Sequence, residues 1–372
     1  MPHASAVTTD QFPQFLARLP ASIDLDALAK ETKALQRKRA VRSGADLLRF
    51  ALAWGPGGLS LQEAAAWAGM VGFADLTEDA LFQRLHNSVG FLEAITDELL
   101  SAAQAVPRWP GRYLRIADST SLSGPASQGT DWRIHGVYDL EIGRFSHLDL
   151  TDAHGGEALD RGKPRAGEIR IGDRGYANAQ AWQRFCGAAQ GDADFIVRMR
   201  WNTIRLVDAQ GKIFDLTGWL AGLPQTDQAS ERIYDRVVWC QSGRRQTPCP
   251  IRLVVQRKSP EALAKSLQDL HRQASRKQQK LDPRSEIAAG FMILATSLCQ
   301  TGFPAHEILV AYRLRWQIEL AFKRLKSLLH IDKLRTRTET GTRCWVQAHL
   351  VAALLCDDLS QDILDSFPSG AC

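Results

Sequence analysis

Tyr312, Arg315, Glu319 and Lys326 stand at relative offsets of 0, 3, 7 and 14 in the segment YRLRWQIELAFKRLK. On one continuous α-helix those offsets fall within about 60° of one another around the axis. Lys323 lies on the same stripe, while Leu314, Ile318, Phe322 and Leu325 turn to other sides, where they can pack against a sheet. One face then presents a single carboxylate among cations and a phenol. Ordinary surface helices instead intermix acids and bases as i,i+4 pairs. Taken alone, Glu319 reads equally well as an ion-pair partner of Arg315 or Lys323.

Two further carboxylates shift that balance. Asp118 closes an apolar run in RIADST, and Asp173 closes another in RIGDRGY. Singly, each could serve a turn or a helix cap. Together with Glu319 they form a set of hard oxygen donors, and three carboxylates at one sheet edge repel unless cations lie between them. Two Mg²⁺ ions about 3.5–4 Å apart use such ligands to activate an attacking hydroxyl and stabilise a leaving oxygen. Arg315, Lys326 and Tyr312 would then hold phosphates. Phosphodiester chemistry explains the set with the fewest assumptions.

The elements that must position these residues fall into three stretches. Residues 1–105 read as helical, with the basic cluster Lys33, Arg37, Lys38, Arg39 and Arg42 on a segment with helical apolar spacing. Ser60 and Glu63 form a capping-box pattern opening one helix, and Thr77 caps the next, which exposes Gln83, Arg84 and Asn87. That pair resembles a DNA-binding helix-turn-helix as much as an ordinary bundle. Residues 106–335 begin with a strand to Asp118, a hairpin (RIHGVYDL and RFSHLDLTD about a Glu141-Ile142-Gly143 turn), a strand to Asp173, a helix and a fifth strand. Residues of about 202–285 form an insertion, with β-like runs TIRLV, KIFDL, RIYDRVVWC and IRLVVQR followed by a polar helix. A buried strand GFMILATSL and one long helix from about Ala305 to His330 follow. Residues 336–372 make a C-terminal helical segment. The expected class is α/β: a mixed sheet with flanking helices, a β-rich insertion and an all-helical N-terminal domain.

Composition narrows the function classes. A chain of 372 residues with 45% hydrophobic and 23% charged content suits a packed globular protein rather than a disordered one. No apolar run long enough for a transmembrane helix and no secretion leader are evident, so a cytoplasmic, nucleoid-associated location is expected. Seven scattered cysteines with no CxxC pair point to free thiols rather than a zinc cluster or a disulfide framework. A net charge of +5 permits an anionic partner. The absence of a GxxxxGK[ST] motif excludes a P-loop phosphate cradle, and no serine is marked as a nucleophile. His154, Asp152 and Glu157 share a glycine loop that reads as solvated. Trp201, Trp219 and Trp239 read as core.

YRLRWQIELAFKRLK carries all four positions of a Tyr-x2-Arg-x3-Glu-x6-Lys signature, and IADST and GDRGY supply two aspartates in the right order. In these features the chain resembles the DDE transposases of bacterial insertion sequences, particularly insertion-sequence family 4, from about residue 110 to 335. The resemblance implies an RNase H-like catalytic domain with a β insertion before the glutamate. Asp118, Asp173 and Glu319 would be catalytic and hold two Mg²⁺ ions, for which Mn²⁺ substitutes. Tyr312, Arg315, Lys326, Lys323 and Arg174 would contact DNA. It further implies strand cleavage and strand transfer on double-stranded DNA, at terminal inverted repeats and target, by a homodimer. Some relatives carry a tryptophan that stacks on a base flipped from a DNA hairpin; here Phe291 or Met292 stands there, and Phe291 is the stacking candidate. A DNA-binding relative without catalysis, or a nuclease that cuts without joining, are the alternatives.

Overall fold

The computed structural model describes residues 12–101, 109–224, 232–242 and 247–365. Six helices come first: α1 (Phe12–Leu16), α2 (Leu25–Glu31), α3 (Gly44–Trp54), α4 (Leu61–Met70), α5 (Glu78–Asn87) and α6 (Val89–Ser101). The expected capping box opens α4, where the Glu63 amide donates to Ser60 Oγ at 3.1 Å and the Ser60 amide donates to Glu63 Oε2 at 2.7 Å. Thr77 caps α5 through the Ala80 amide at 3.3 Å. The basic cluster is not helical. Lys33 takes a left-handed conformation (φ 60°) just past the end of α2, so the segment to Arg42 crosses irregularly to α3. A β-carbon disfavours that conformation, which stops a helix whatever its apolar spacing.

The strands follow as β1 (Tyr113–Leu122), β2 (Trp132–Asp139), β3 (Arg144–Asp152) and β4 (Glu168–Gly172), then α7 (Ala179–Ala188) and β5 (Ala193–Arg198). The insertion contributes β6 (Arg205–Val207), α8 (Leu216–Ala221), β7 (Ile233–Gln241), β8 (Cys249–Arg257), α9 (Pro260–Arg276) and α10 (Pro283–Ala289). It is followed by β9 (Phe291–Thr296), α11 (Ala305–Arg313), α12 (Trp316–Leu329) and α13 (Glu339–Asp365). One sheet of nine strands runs in the order β3-β2-β1-β4-β5-β9-β8-β7-β6. β1, β2 and β3 form an antiparallel meander, and β4 and β5 continue parallel to β1. That is the expected RNase H-like arrangement.

The insertion strands extend the same sheet. β9 pairs antiparallel with both β5 and β8, and Thr296 is opposite Ile196 on one side and Arg252 on the other. The KIFDL run forms no strand; it contributes only a bridge between Ile213 and Val207.

Alternation along β1 sends Ile116 into one core and Ala117 into another. The first core joins that face to the N-terminal helices and to α11, α12 and α13; the second joins the opposite face to α7 and the insertion. Charges inside the sheet are paired: Arg115 meets Asp139 at 2.9 Å and Glu168 at 3.3 Å, and Arg170 meets Glu168 at 2.6 Å. Removing one partner would leave an uncompensated buried charge, a loss of about 3–5 kcal/mol.

Candidate active site

β1 and β4 pair in parallel with Ala117 opposite Gly172. Asp118 and Asp173 are the next residues on each chain, so the backbone ladder sets them side by side. The Ser119 amide donates to Asp118 Oδ1 at 2.8 Å. Burial pushes the Asp118 carboxyl up to about 6, opposed by that amide and by Arg315 and reinforced by Glu157 and Glu319. Asp173 accepts the Tyr312 hydroxyl at 3.1 Å, and Arg198 Nη1 lies 4.0 Å away.

α12 brings Glu319 across from the other side. Its apolar face buries Ile318, Phe322 and Leu325. Opposite Asp118 on β2 is Gly136, where a β-carbon would lie 2.9 Å from the Phe322 ring and 2.7 Å from Phe145. The missing side chain at Gly136 is what lets α12 close onto the sheet.

The expected single helix from Ala305 to His330 is two helices. Leu314, Arg315 and Gln317 donate to the carbonyls of Ala311, Tyr312 and Leu314, three residues back, at 3.1, 3.1 and 3.0 Å. This tighter hydrogen bonding replaces the i→i−4 ladder for about one turn. Tyr312 therefore does not share an exposed face with Glu319. It is buried at the end of α11 with its hydroxyl on Asp173.

Arg315, at the junction, spans two carboxylates: Nη2 reaches Glu319 Oε1 at 2.5 Å and Nη1 reaches Asp118 Oδ2 at 3.6 Å. Lys326 Nζ donates to the Ser121 carbonyl at 3.0 Å, and Lys323 is exposed. Asp118, Ser119, Glu319, Lys323 and Lys326 line one open cleft of about 480 Å³. Arg174 lines a neighbouring cleft of about 380 Å³ with Arg198, Arg200, Trp201, Lys258 and Phe291. Burial, then Arg198 and Arg174, pull the Lys258 ammonium down to about 8. Cations packed this closely favour an anion among them.

Phe291, the base-stacking candidate, offers little free surface in this structure. Its side chain is 4% exposed, with the Arg257 guanidinium 4.5 Å from the ring centroid. It is the first residue of β9 and belongs to the second core, bordering the Arg174 cleft with little exposed surface.

Among the described residues no group of three His, Cys, Asp or Glu side chains converges on one point suited to an ion. Arg315 bridges two of the candidate ligands, Asp118 and Glu319. The donor set nonetheless suits a hard cation: Asp118 is poorly compensated and adjacent to Asp173, and Glu319 is held only by a half-exposed side-chain pair.

Sequence reasoning missed Arg198, Arg200 and Lys258. Arg198 ends β5, the next parallel strand after β4. The strand-end logic that marked Asp173 applies equally there. The basic segment 33–42 also meets α5: Lys33, Arg37, Arg39, Arg84 and Asn87 line a cleft of about 460 Å³.

Asp118 does not end its strand as expected, because β1 continues along β2 to Leu122; it is the β1–β4 pairing that stops before it, and Asp173 alone stands just past a strand end. Two adjacent aspartates at that point, faced by a helix that presents arginine and glutamate, are the layout of a DDE-type domain. The family described as "Transposase DDE domain" matches residues 109–355, and the chain belongs to this family of transposase enzymes. The family acts on DNA and depends on divalent metal. Over 366 residues the chain is 38% identical to the transposase for insertion sequence element IS421 of Escherichia coli, covering 97% of each. It is 25% identical over 374 residues to the transposase for IS231F of Bacillus thuringiensis subsp. israelensis, covering 89% of this chain and 76% of that one. Among solved structures it is similar to the piggyBac transposase in a cryo-EM synaptic complex with hairpin DNA, with a TM-score of 0.46 and 7% identity. That match covers 95% of this chain and 73% of the other. No described helix is long and apolar enough to cross a membrane.

Proposed function

We propose that this transposase cuts the ends of an insertion sequence and joins them to target DNA in one site formed by Asp118, Asp173 and Glu319. The observation that carries this reading is the β1–β4 register, which sets two carboxylates side by side opposite a third on α12. Two Mg²⁺ ions, or Mn²⁺ in their place, would be held by these three residues and supply activation of the attacking oxygen and charge neutralisation at the leaving one.

The protein's own groups do the rest. Arg315 leaves its two carboxylates for a phosphate of the DNA when cations arrive. Tyr312 holds Asp173 in one orientation through its hydroxyl. Lys323 and Lys326 flank the cleft on the α12 side, and Arg174, Arg198, Arg200 and Lys258 carry the backbone of the strand on the other. Water attacks a phosphodiester at the element's end and frees a 3′-hydroxyl, which then attacks the target strand in the same site. No covalent protein–DNA bond forms. Two copies of the chain act together on the two inverted-repeat ends.

The test uses the full chain with Mg²⁺ and DNA carrying the element's ends. Nicks at the element boundary, and joined products from pre-cut 3′ ends, are the expected results. Cutting without joining would mark a nuclease, and an Asp173→Asn variant that cuts like the wild type would sink the assignment.

A further inference from the structure

Glu157 lies in the loop between β3 and β4, among glycines that suggest free solvation, yet its side chain is only 24% exposed. Its Oε1 accepts the Ser119 hydroxyl at 2.7 Å and Arg133 Nη1 at 3.3 Å. Arg133 Nη1 also donates to Ser119 Oγ at 3.2 Å, which closes a three-membered polar ring. The other oxygen, Oε2, lies against Gly175, where a β-carbon would sit 1.5 Å from it. Ser119 directly follows Asp118, and Gly175 is two residues past Asp173. One carboxylate thus touches both chain segments that leave the paired strands at the two aspartates.

We infer that Glu157 is a positioning residue, which ties Ser119 of β1 to the Gly175 turn after β4 and so steadies the Asp118 and Asp173 carboxylates just past the last paired residues of the two strands. This inference rests on the proposed two-cation site. A third carboxylate near Asp118 adds like-charge repulsion, which the partly buried Arg133 pairs with Glu157 to offset. The bonding pattern distinguishes Glu157 from a further cation ligand: Oε1 is taken by two donors and Oε2 is shut against backbone. Groups that orient first ligands in this way change metal affinity or activity by about 10–100-fold when removed. Gly175 has a matching requirement, since any larger residue displaces the carboxylate.

The experiment measures Mn²⁺ uptake by the full chain directly, from the spin-resonance signal of the free ion, beside cleavage of end DNA and the melting temperature. Glu157→Ala should raise half-saturating Mn²⁺ about 10–100-fold with little change in melting temperature. Glu157→Gln, which keeps an acceptor for Ser119, should stay within about threefold of wild type, since an amide oxygen preserves the neutral hydrogen bond. Gly175→Ala should match Glu157→Ala, and the double variant should be scarcely worse than either, because the same contact is removed twice. Unchanged Mn²⁺ uptake in Glu157→Ala would overturn the inference. So would Gln being as poor as Ala, which would make Glu157 a ligand itself, or full additivity of the two substitutions. A wild-type chain that takes up no Mn²⁺ would bring down the two-cation reading first and this inference with it.

Discussion

Asp118 and Asp173 reach the site one residue beyond paired positions of two parallel strands, so main-chain hydrogen bonds set their spacing. Glu319 arrives from a helix whose seat is made by side chains: Phe322 against the space left by Gly136, and Arg315 clasped to Glu319 itself. The strand half is therefore fixed when the sheet forms. The helix half is adjustable, because rotating one arginine changes which groups face the cleft. Such a division suits a site that binds cations and DNA in succession: the rigid part defines where charge goes, and the mobile part responds to what arrives.

The largest expected effect breaks the rigid half. Asp118→Asn or Asp173→Asn should slow cleavage of end DNA at least about a thousandfold, roughly 4 kcal/mol of barrier. Thermal unfolding should hardly move, since neither carboxylate lies among the sheet's buried ion pairs; cleavage within tenfold of wild type would remove that aspartate from the site. Next, Gly136→Val leaves every proposed ligand in place but pushes against Phe322 and Phe145. Overpacking of this kind costs about 1–3 kcal/mol of stability, and a shift of about 1 Å in α12 can cost about a hundredfold in rate. If denaturant titration shows the instability while cleavage stays normal, the helix half does not depend on that seat. Arg315→Ala should split two measurements: Mn²⁺ should bind a few times more tightly to the free protein, while cleavage falls about 10–100-fold through the lost phosphate contact. A parallel fall in both would mean that Arg315 does not compete with cations for Glu319. Smallest is Tyr312→Phe, which removes one hydrogen bond to Asp173; about 1 kcal/mol, or roughly fivefold in turnover, is expected at saturating DNA.

The sequence marked the rigid half as residues but not as a pair. The apolar run shows where β4 ends but not where β1 does, since β1 continues past Asp118 to Leu122 along β2, and the adjacency of the two strands depends on parallel pairing between segments some fifty positions apart, which leaves no local trace. The signature on α11 and α12 was legible in composition and spacing, while its angular reading failed because one turn winds more tightly than an α-helix. Lys33 defeats the helical reading of the basic segment by a single left-handed residue. Glu157 was hidden for a different reason. Its glycine-rich surroundings look solvated, and only the tertiary approach of Ser119 and Gly175 gives it partners. The strands of the insertion were visible, with KIFDL read as a strand that does not form, but their continuity with the catalytic sheet runs through β9, a non-local pairing on both edges.

The tight turn between α11 and α12 sets the phase of everything beyond it. A residue in 3₁₀ geometry advances about 120° around the axis against about 100° in an α-helix, so three such steps overwind the shaft by about 60°. Glu319 is aimed by that accumulated twist as much as by its count of residues from Tyr312. One extra alanine after Leu314 would turn α12 by about 100° and carry Glu319 off the cleft, while Tyr312 stayed on Asp173. The spacing in the signature therefore encodes a torsional setting.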